Sequence, residues 1–141
     1  MTYEEWEAGV PEEIKGDSLW KMTAYRLGLF LADLVWEDAT KLLGDRRTRA
    51  IADQVFRAIC GISSNIAEGY SRGTGKVRAQ YYEFALGSVR ESRDWYYKGR
   101  HVLGEKVWRH RIGKCTEVAK LLLTAIASKR KANRRISQPG G

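Results

Sequence analysis

A chain of 141 residues, 43% hydrophobic and 11% aromatic, fits one domain of ordinary size with a real core, which excludes global disorder. Its net charge of +8 is uneven: residues 1–17 hold six acids against Lys15, a local −5, so the remainder carries +13. An excess of that size draws anions, and it favours nucleic acid or an acidic partner over a merely solvated basic face.

Residues 1–17 read as a flexible acidic lead-in with at most a helical turn at Glu4–Ala8. Asp17 and Ser18 then supply a helix start signal. Helix one is expected from about Leu19 to Leu43, its stripe running through Trp20, Ala24, Leu27, Leu31, Leu34 and Leu42 with one gap across Asp38. Gly44 is expected to end it in a left-handed cap. Helix two is expected from Asp45 or Arg46 to Glu68, on the stripe Ile51, Val55, Ala58, Ile59, Ile62 and Ile66, with Gly69 as the stop. Helix three runs from near Lys76 to Leu103, with Tyr81, Phe84, Ala85, Ser88, Val89 and Trp95 inward. Gly87 sits within it to admit a neighbouring helix. Helix four runs from Glu105 to Lys131 on Val107, Ile112, Cys115, Val118, Ala119, Leu122 and Ile126. The organisation is thus 1–17 lead-in, 18–131 helical body and 132–141 basic tail, the tail expected to be disordered. Strands find no support, because apolar residues seldom alternate with polar ones. Four long amphipathic stretches with short connections predict an all-α, antiparallel up-down-up-down four-helix bundle.

No catalytic set stands out. His101 and His110 have no Ser or Cys partner in a recognisable arrangement. Glu-x-x-His pairs, which di-metal bundles use, are missing from the sequence, and Gly69–Gly75 lacks a phosphate-loop pattern. A binding protein without cofactor or metal is therefore expected, not an enzyme. Cys60 and Cys115 have neither CxxC nor metal-ligand spacing, and both are expected as buried free thiols. No apolar run approaches the roughly 18 residues of a membrane span. With no signal-peptide pattern either, the expected location is the cytoplasm.

Glu68 lies at a helix C-terminus, where the macrodipole disfavours negative charge, so it needs compensation from Arg72 or from a hydroxyl such as Ser88. Asn65 and Glu68 are expected to tie the turn to helix three, and Glu91 to reach Arg57 across the bundle or to pair locally. These residues also carry a resemblance. Gln54, Arg57-Ala58, Ile62, Asn65-Ile66-Ala67-Glu68-Gly69, Arg72, Phe84 and Gly87-Ser88 with Glu91 read as Q-x-x-R-A-x-x-x-I-x-x-N-I-A-E-G-x-x-R followed by F-x-x-x-G-S-x-x-E. That combination resembles the bacterial four-helix-bundle proteins encoded in intervening sequences of large-subunit ribosomal RNA genes. Gly61-Ile62-Ser63 stands where the pattern has Ser-Ile-Pro, and Gly44-Asp45-Arg46-Arg47 replaces its Phe-Pro and following Glu. The resemblance implies a homopentamer. It also points to a relative, the accessory protein of diversity-generating retroelements, which binds a reverse transcriptase and its template RNA.

The bases gather at turns. Arg46, Arg47 and Arg49 open helix two, where positive charge is unfavourable unless a ligand or acid answers it. Lys98, Arg100, Lys106, Arg109 and Arg111 crowd the third turn at the same end, beside Tyr96, Tyr97 and Trp108. Those aromatics either stack on unpaired bases or fill the bundle or an interface. This end is the expected phosphate-binding surface. Lys129, Arg130 and Lys131, with Arg134 and Arg135, form a second basic element expected to order on binding. RNA is the expected ligand and DNA is possible. The alternative is a scaffold whose bases dock acidic partners or its own N-terminus.

Overall fold

The computed structural model describes residues 1–137, with side chains to Ala132. It is all-helical, and no strand occurs among the described residues. Seven α-helices follow one another: α1 (Tyr3–Ala8), α2 (Glu12–Lys15), α3 (Thr23–Leu43), α4 (Arg49–Tyr70), α5 (Gly75–Lys98), α6 (Arg100–Leu103) and α7 (Glu105–Ser137). A 3-10 turn at Ser18–Lys21 precedes α3.

The lead-in expected to be flexible is folded onto the body. Thr2 and Glu5 form a reciprocal capping box that starts α1. Trp6 on that helix is buried, stacked on Trp20 and tilted against Phe30, and its indole N–H donates to Asp33.

Helix boundaries follow local hydrogen bonding. Asp17 accepts from the Leu19 N–H and closes the 3-10 turn, and Met22 is extended, so α3 begins at Thr23 and not at Leu19. Gly44 ends α3 in a right-handed conformation, against the left-handed cap expected there. The following turn is instead built by side chains. Asp45 accepts from the Arg47 N–H, and the buried Thr48 hydroxyl donates to the Leu42 carbonyl. Those bonds delay α4 to Arg49. The one left-handed glycine among the described residues is Gly104, with φ 87°, between α6 and α7. Thr74 caps α5 by accepting from Val77. Gly69 does not stop α4, which runs on to Tyr70. α7 continues to Ser137, past the expected end at Lys131; residues 138–141 of the expected tail lie outside the described residues.

The four long helices pack in order: α3 on α4, α4 on α5, α5 on α7, and α7 back on α3. Gly69 and Gly61 of α4 face Tyr82 and Ser88 of α5. Farther on, Gly99 meets Leu42 and Ile51, so the 43–49 and 98–105 turns share one end of the molecule. Phe30, Leu31, Val35 and Leu42 meet Val55, Ile59, Ile62 and Ile66, and α5 and α7 add Tyr82, Val89, Val118 and Leu122. Each large aliphatic side chain so buried contributes roughly 1.5–3 kcal/mol.

On α5 the buried stripe includes Ala85 and Val89 as expected, but Tyr82, Leu86, Ser92 and Tyr96 complete it in place of Tyr81, Phe84, Ser88 and Trp95. Phe84, expected inward, is half exposed, with Tyr81 packed edge-on against it. Cys115 is buried, and burial pushes its thiol up to about 12. Cys60, expected buried, is only partly so, and burial raises its thiol as well. In native protein iodoacetamide should therefore modify Cys60 first, and Cys115 only after denaturant is added, as mass spectrometry of timed samples would read.

Candidate nucleic-acid interface

The 98–105 turn is compact because Gly99 lies under Leu42. A Cβ there would come within 2.9 Å of the Leu42 side chain. The single turn of α6 and the left-handed Gly104 then reverse the chain, and the last turn of α5 faces the first turn of α7.

The reversal assembles a ladder of cations and rings. The Arg100 guanidinium lies 4.0 Å from the Tyr97 ring centroid and donates to the Tyr97 carbonyl at 2.9 Å. Tyr97 meets Trp108 edge-on at 5.9 Å and 88°. The Arg109 guanidinium lies 4.4 Å from the Trp108 ring and donates from Nε to Glu105 at 2.7 Å. Lys98, next to Tyr97 in sequence, lies 4.6 Å from the Trp95 ring and 2.7 Å from Asp94. Exposed contacts of this kind contribute about 0.5–1 kcal/mol each, enough to hold an arginine plane in place and little enough to yield to a ligand.

Arg46, Arg49 and Lys106 are exposed at the same end, and among the described residues none has a carboxylate within ion-pair distance. Arg47 is exposed but held by Asp45 at 2.8 Å, and that pairing draws the Asp45 carboxyl down to about 2.

Two expected members turn inward. Asp38 on α3 is 1% exposed and accepts from Tyr96 Oη at 2.7 Å and from Arg111 Nε at 2.8 Å. Arg111 is spent on this buried pair, and Tyr96 is fully buried beneath it, so neither offers a face to a ligand. Burial, and then the Asp38 charge, push the Tyr96 hydroxyl far up its scale. Arg111 also donates to His110 Nδ1 at 2.7 Å; partial burial, with Arg111 and Lys114 nearby, lowers the His110 imidazole, which suits an acceptor. The sequence reading missed Asp38, Asp94 and Glu105. The last two were readable as acids four residues before Lys98 and Arg109.

The second basic element lies elsewhere. Lys129, Arg130 and Lys131 belong to the helical run of α7, and Arg130 pairs with Glu83 near the start of α5, at the opposite end. The backbone there is helical; the side chains of Arg134 and Arg135 lie outside the described residues.

At that opposite end the motif residues build a latch. Arg72 bonds Glu68 at 2.9 Å, so it is the compensating cation, and Ser88 is not involved. Arg72 also donates to Tyr81 Oη at 3.1 Å, which ties α4 to α5. Asn65 does not take part; its amide donates to the Gly61 carbonyl of its own helix. Glu91 accepts from the Trp95 indole, and Arg57 pairs with Asp53, so the two do not meet. Gly87 faces open space, and the helices approach closely at Gly61 and Gly69 instead.

A family model described as 23S rRNA-intervening sequence protein matches residues 21–124. The chain belongs to that family. A crystal structure of a protein of unknown function from the S23 ribosomal protein family of Bacteroides thetaiotaomicron has a similar fold, with TM-score 0.69 at 18% identity over 74% of this chain and 98% of that one. No curated protein matches the chain in sequence. Among the described residues no helix is long and apolar enough to cross a membrane.

Proposed function

We propose that this chain is a non-enzymatic RNA-binding accessory protein, with its phosphate-binding surface at the end formed by the 43–49 and 98–105 turns. The observation that carries the reading is the Arg100–Tyr97–Trp108–Arg109 ladder, bordered by the unpaired Arg46, Arg49 and Lys106. Guanidinium groups set over aromatic rings, with further cationic side chains at the same end, suit a polyanion. In this reading the helices form an antiparallel four-helix bundle, five copies assemble around an axis, and the assembly serves a reverse transcriptase of a diversity-generating retroelement. DNA is an allowed ligand, since phosphate contacts do not read the sugar.

The test is binding of a structured RNA across a salt series, with the triple charge reversal Arg46→Glu, Arg49→Glu, Arg109→Glu alongside. Native protein should bind with a steep salt slope. The variant should lose at least tenfold in affinity, with a slope shallower by about one for each phosphate contact removed. Unchanged binding by the variant would move the surface elsewhere, and no binding by native protein at low salt would end the reading.

A second reading, a scaffold that docks acidic partners, draws on a different feature. Trp36 is 69% exposed beside an apolar groove lined by Ala39, Leu43, Ala52 and Phe56. An exposed apolar groove is the kind of surface a protein partner covers.

A further inference from the structure

We infer that the ladder at the 98–105 turn recognises unpaired nucleotides, by stacking bases on the outer faces of Arg100 and Arg109; this rests on the RNA-binding reading above. Each guanidinium already lies against a ring on one side, Arg100 on Tyr97 and Arg109 on Trp108. Arg109 is exposed and Arg100 partly so, and a planar cation lying on a ring keeps its second face for a ligand. Arg100 is anchored further by the Tyr97 carbonyl, and Arg109 by Glu105, so neither has to be ordered when a ligand arrives. A base laid on that face extends the stack to base, guanidinium and ring, and the remaining N–H groups stay free for the adjoining phosphate.

The geometry selects single strands. In a duplex the base faces are occupied by their neighbours, and the protein meets phosphates, 2′-hydroxyls and base edges but no face to stack on. Duplex RNA therefore meets charge without stacking at this surface, whereas an unpaired strand meets charge and stacking together. Tyr97 is about half exposed and meets Trp108 edge-on at 88°, so the two rings back the two arginines at right angles and offer two separate stacking faces.

The distinguishing variant keeps every charge. Arg100→Lys with Arg109→Lys retains the positive field but removes both planes, and both sites are on or near the surface, so folding should persist, as a thermal melt would verify. The probes are a short oligoadenylate and a duplex RNA of equal phosphate count, each titrated against native and variant protein at one salt concentration. The expected result is a loss of about tenfold or more for oligoadenylate with little change for the duplex, the size of a lost base stack. A second variant, Tyr97→Leu, leaves the charges untouched and should weaken oligoadenylate in the same selective way. Equal loss on both probes, or no loss on either, would overturn the stacking inference while leaving RNA binding intact. Failure of native protein to bind either probe at low salt would instead remove the reading on which it rests.

Discussion

Replacing Asp38 with alanine should cost about 3–5 kcal/mol of folding stability, because it strands a buried cation. The Arg111 side chain is only 13% exposed, and its guanidinium satisfies Asp38 from two nitrogens, at 2.8 and 3.3 Å. Without the carboxylate, Arg111 stays desolvated and unpaired, and the Tyr96 hydroxyl loses the acceptor it meets at 2.7 Å. Taking ions out of water is expensive, so the pair is not a net gain merely by existing. What is large is the penalty for breaking one side of it. The double variant Asp38→Leu, Arg111→Met should therefore recover part of the loss, since an apolar pair of similar bulk leaves no charge behind; adding Tyr96→Phe, which removes the hydroxyl left without an acceptor, should recover most of the rest. Urea unfolding is the measurement: a lower midpoint at unchanged m for the single variant, an intermediate midpoint for the double, and a midpoint near native for the triple. A loss below 1 kcal/mol for Asp38→Ala would mean that water reaches the pair, as it reaches the exposed Asp45–Arg47 contact. Arg111 is accordingly a poor probe of RNA binding, since its replacement would disturb the fold and the surface together.

That network was half visible in the sequence. The helix-one stripe breaks at Asp38, and an acid at a core position demands a cation. Arg111 stands four residues before the buried Cys115, on the inward face of α7, whereas Arg109 does not. Periodicity read one helix at a time could not join the two, because pairing across helices depends on how far each slides along its neighbour. The same limit explains α5. Its apolar residues are numerous enough to suit two adjacent faces, and the choice falls to Gly69 of α4, which makes room for the Tyr82 ring. The long helices were legible from their stripes, and the clustering of bases at turns was legible from the chain itself. The lead-in was misread although Thr2 and Glu5 spell a capping box and Trp6 follows at once, because its acidic composition outweighed that short signal. Ends of helices were the least legible part. Thr48 and Asp45 decide where α4 begins through hydrogen bonds to backbone groups of α3 and of the turn itself.

Two glycines that stand in the N-I-A-E-G and G-S-x-x-E motifs should respond to alanine with opposite signs. At Gly69 a Cβ would stand 2.8 Å from a Tyr82 ring carbon and 2.9 Å from Tyr81 Cβ, closer than such atoms pack. Tyr82 is fully buried and cannot swing aside, and Tyr81 Cβ is fixed by the α5 backbone. Gly69→Ala must then push α4 and α5 apart near the Arg72 latch, which should cost about 1–3 kcal/mol. At Gly87 a Cβ meets nothing within 4 Å, and the residue is exposed in the interior of α5 with ordinary helical geometry. There the change only removes backbone freedom from the unfolded chain, so Gly87→Ala should stabilise by about 0.5–1 kcal/mol. Thermal midpoints of the two variants, measured together, should bracket the native value. A fall at Gly87 would have a separate meaning. With open space around the site in one subunit, a lost midpoint could come only from a neighbouring chain seated on that face of α5, and repeating the melt across protein concentration would expose it.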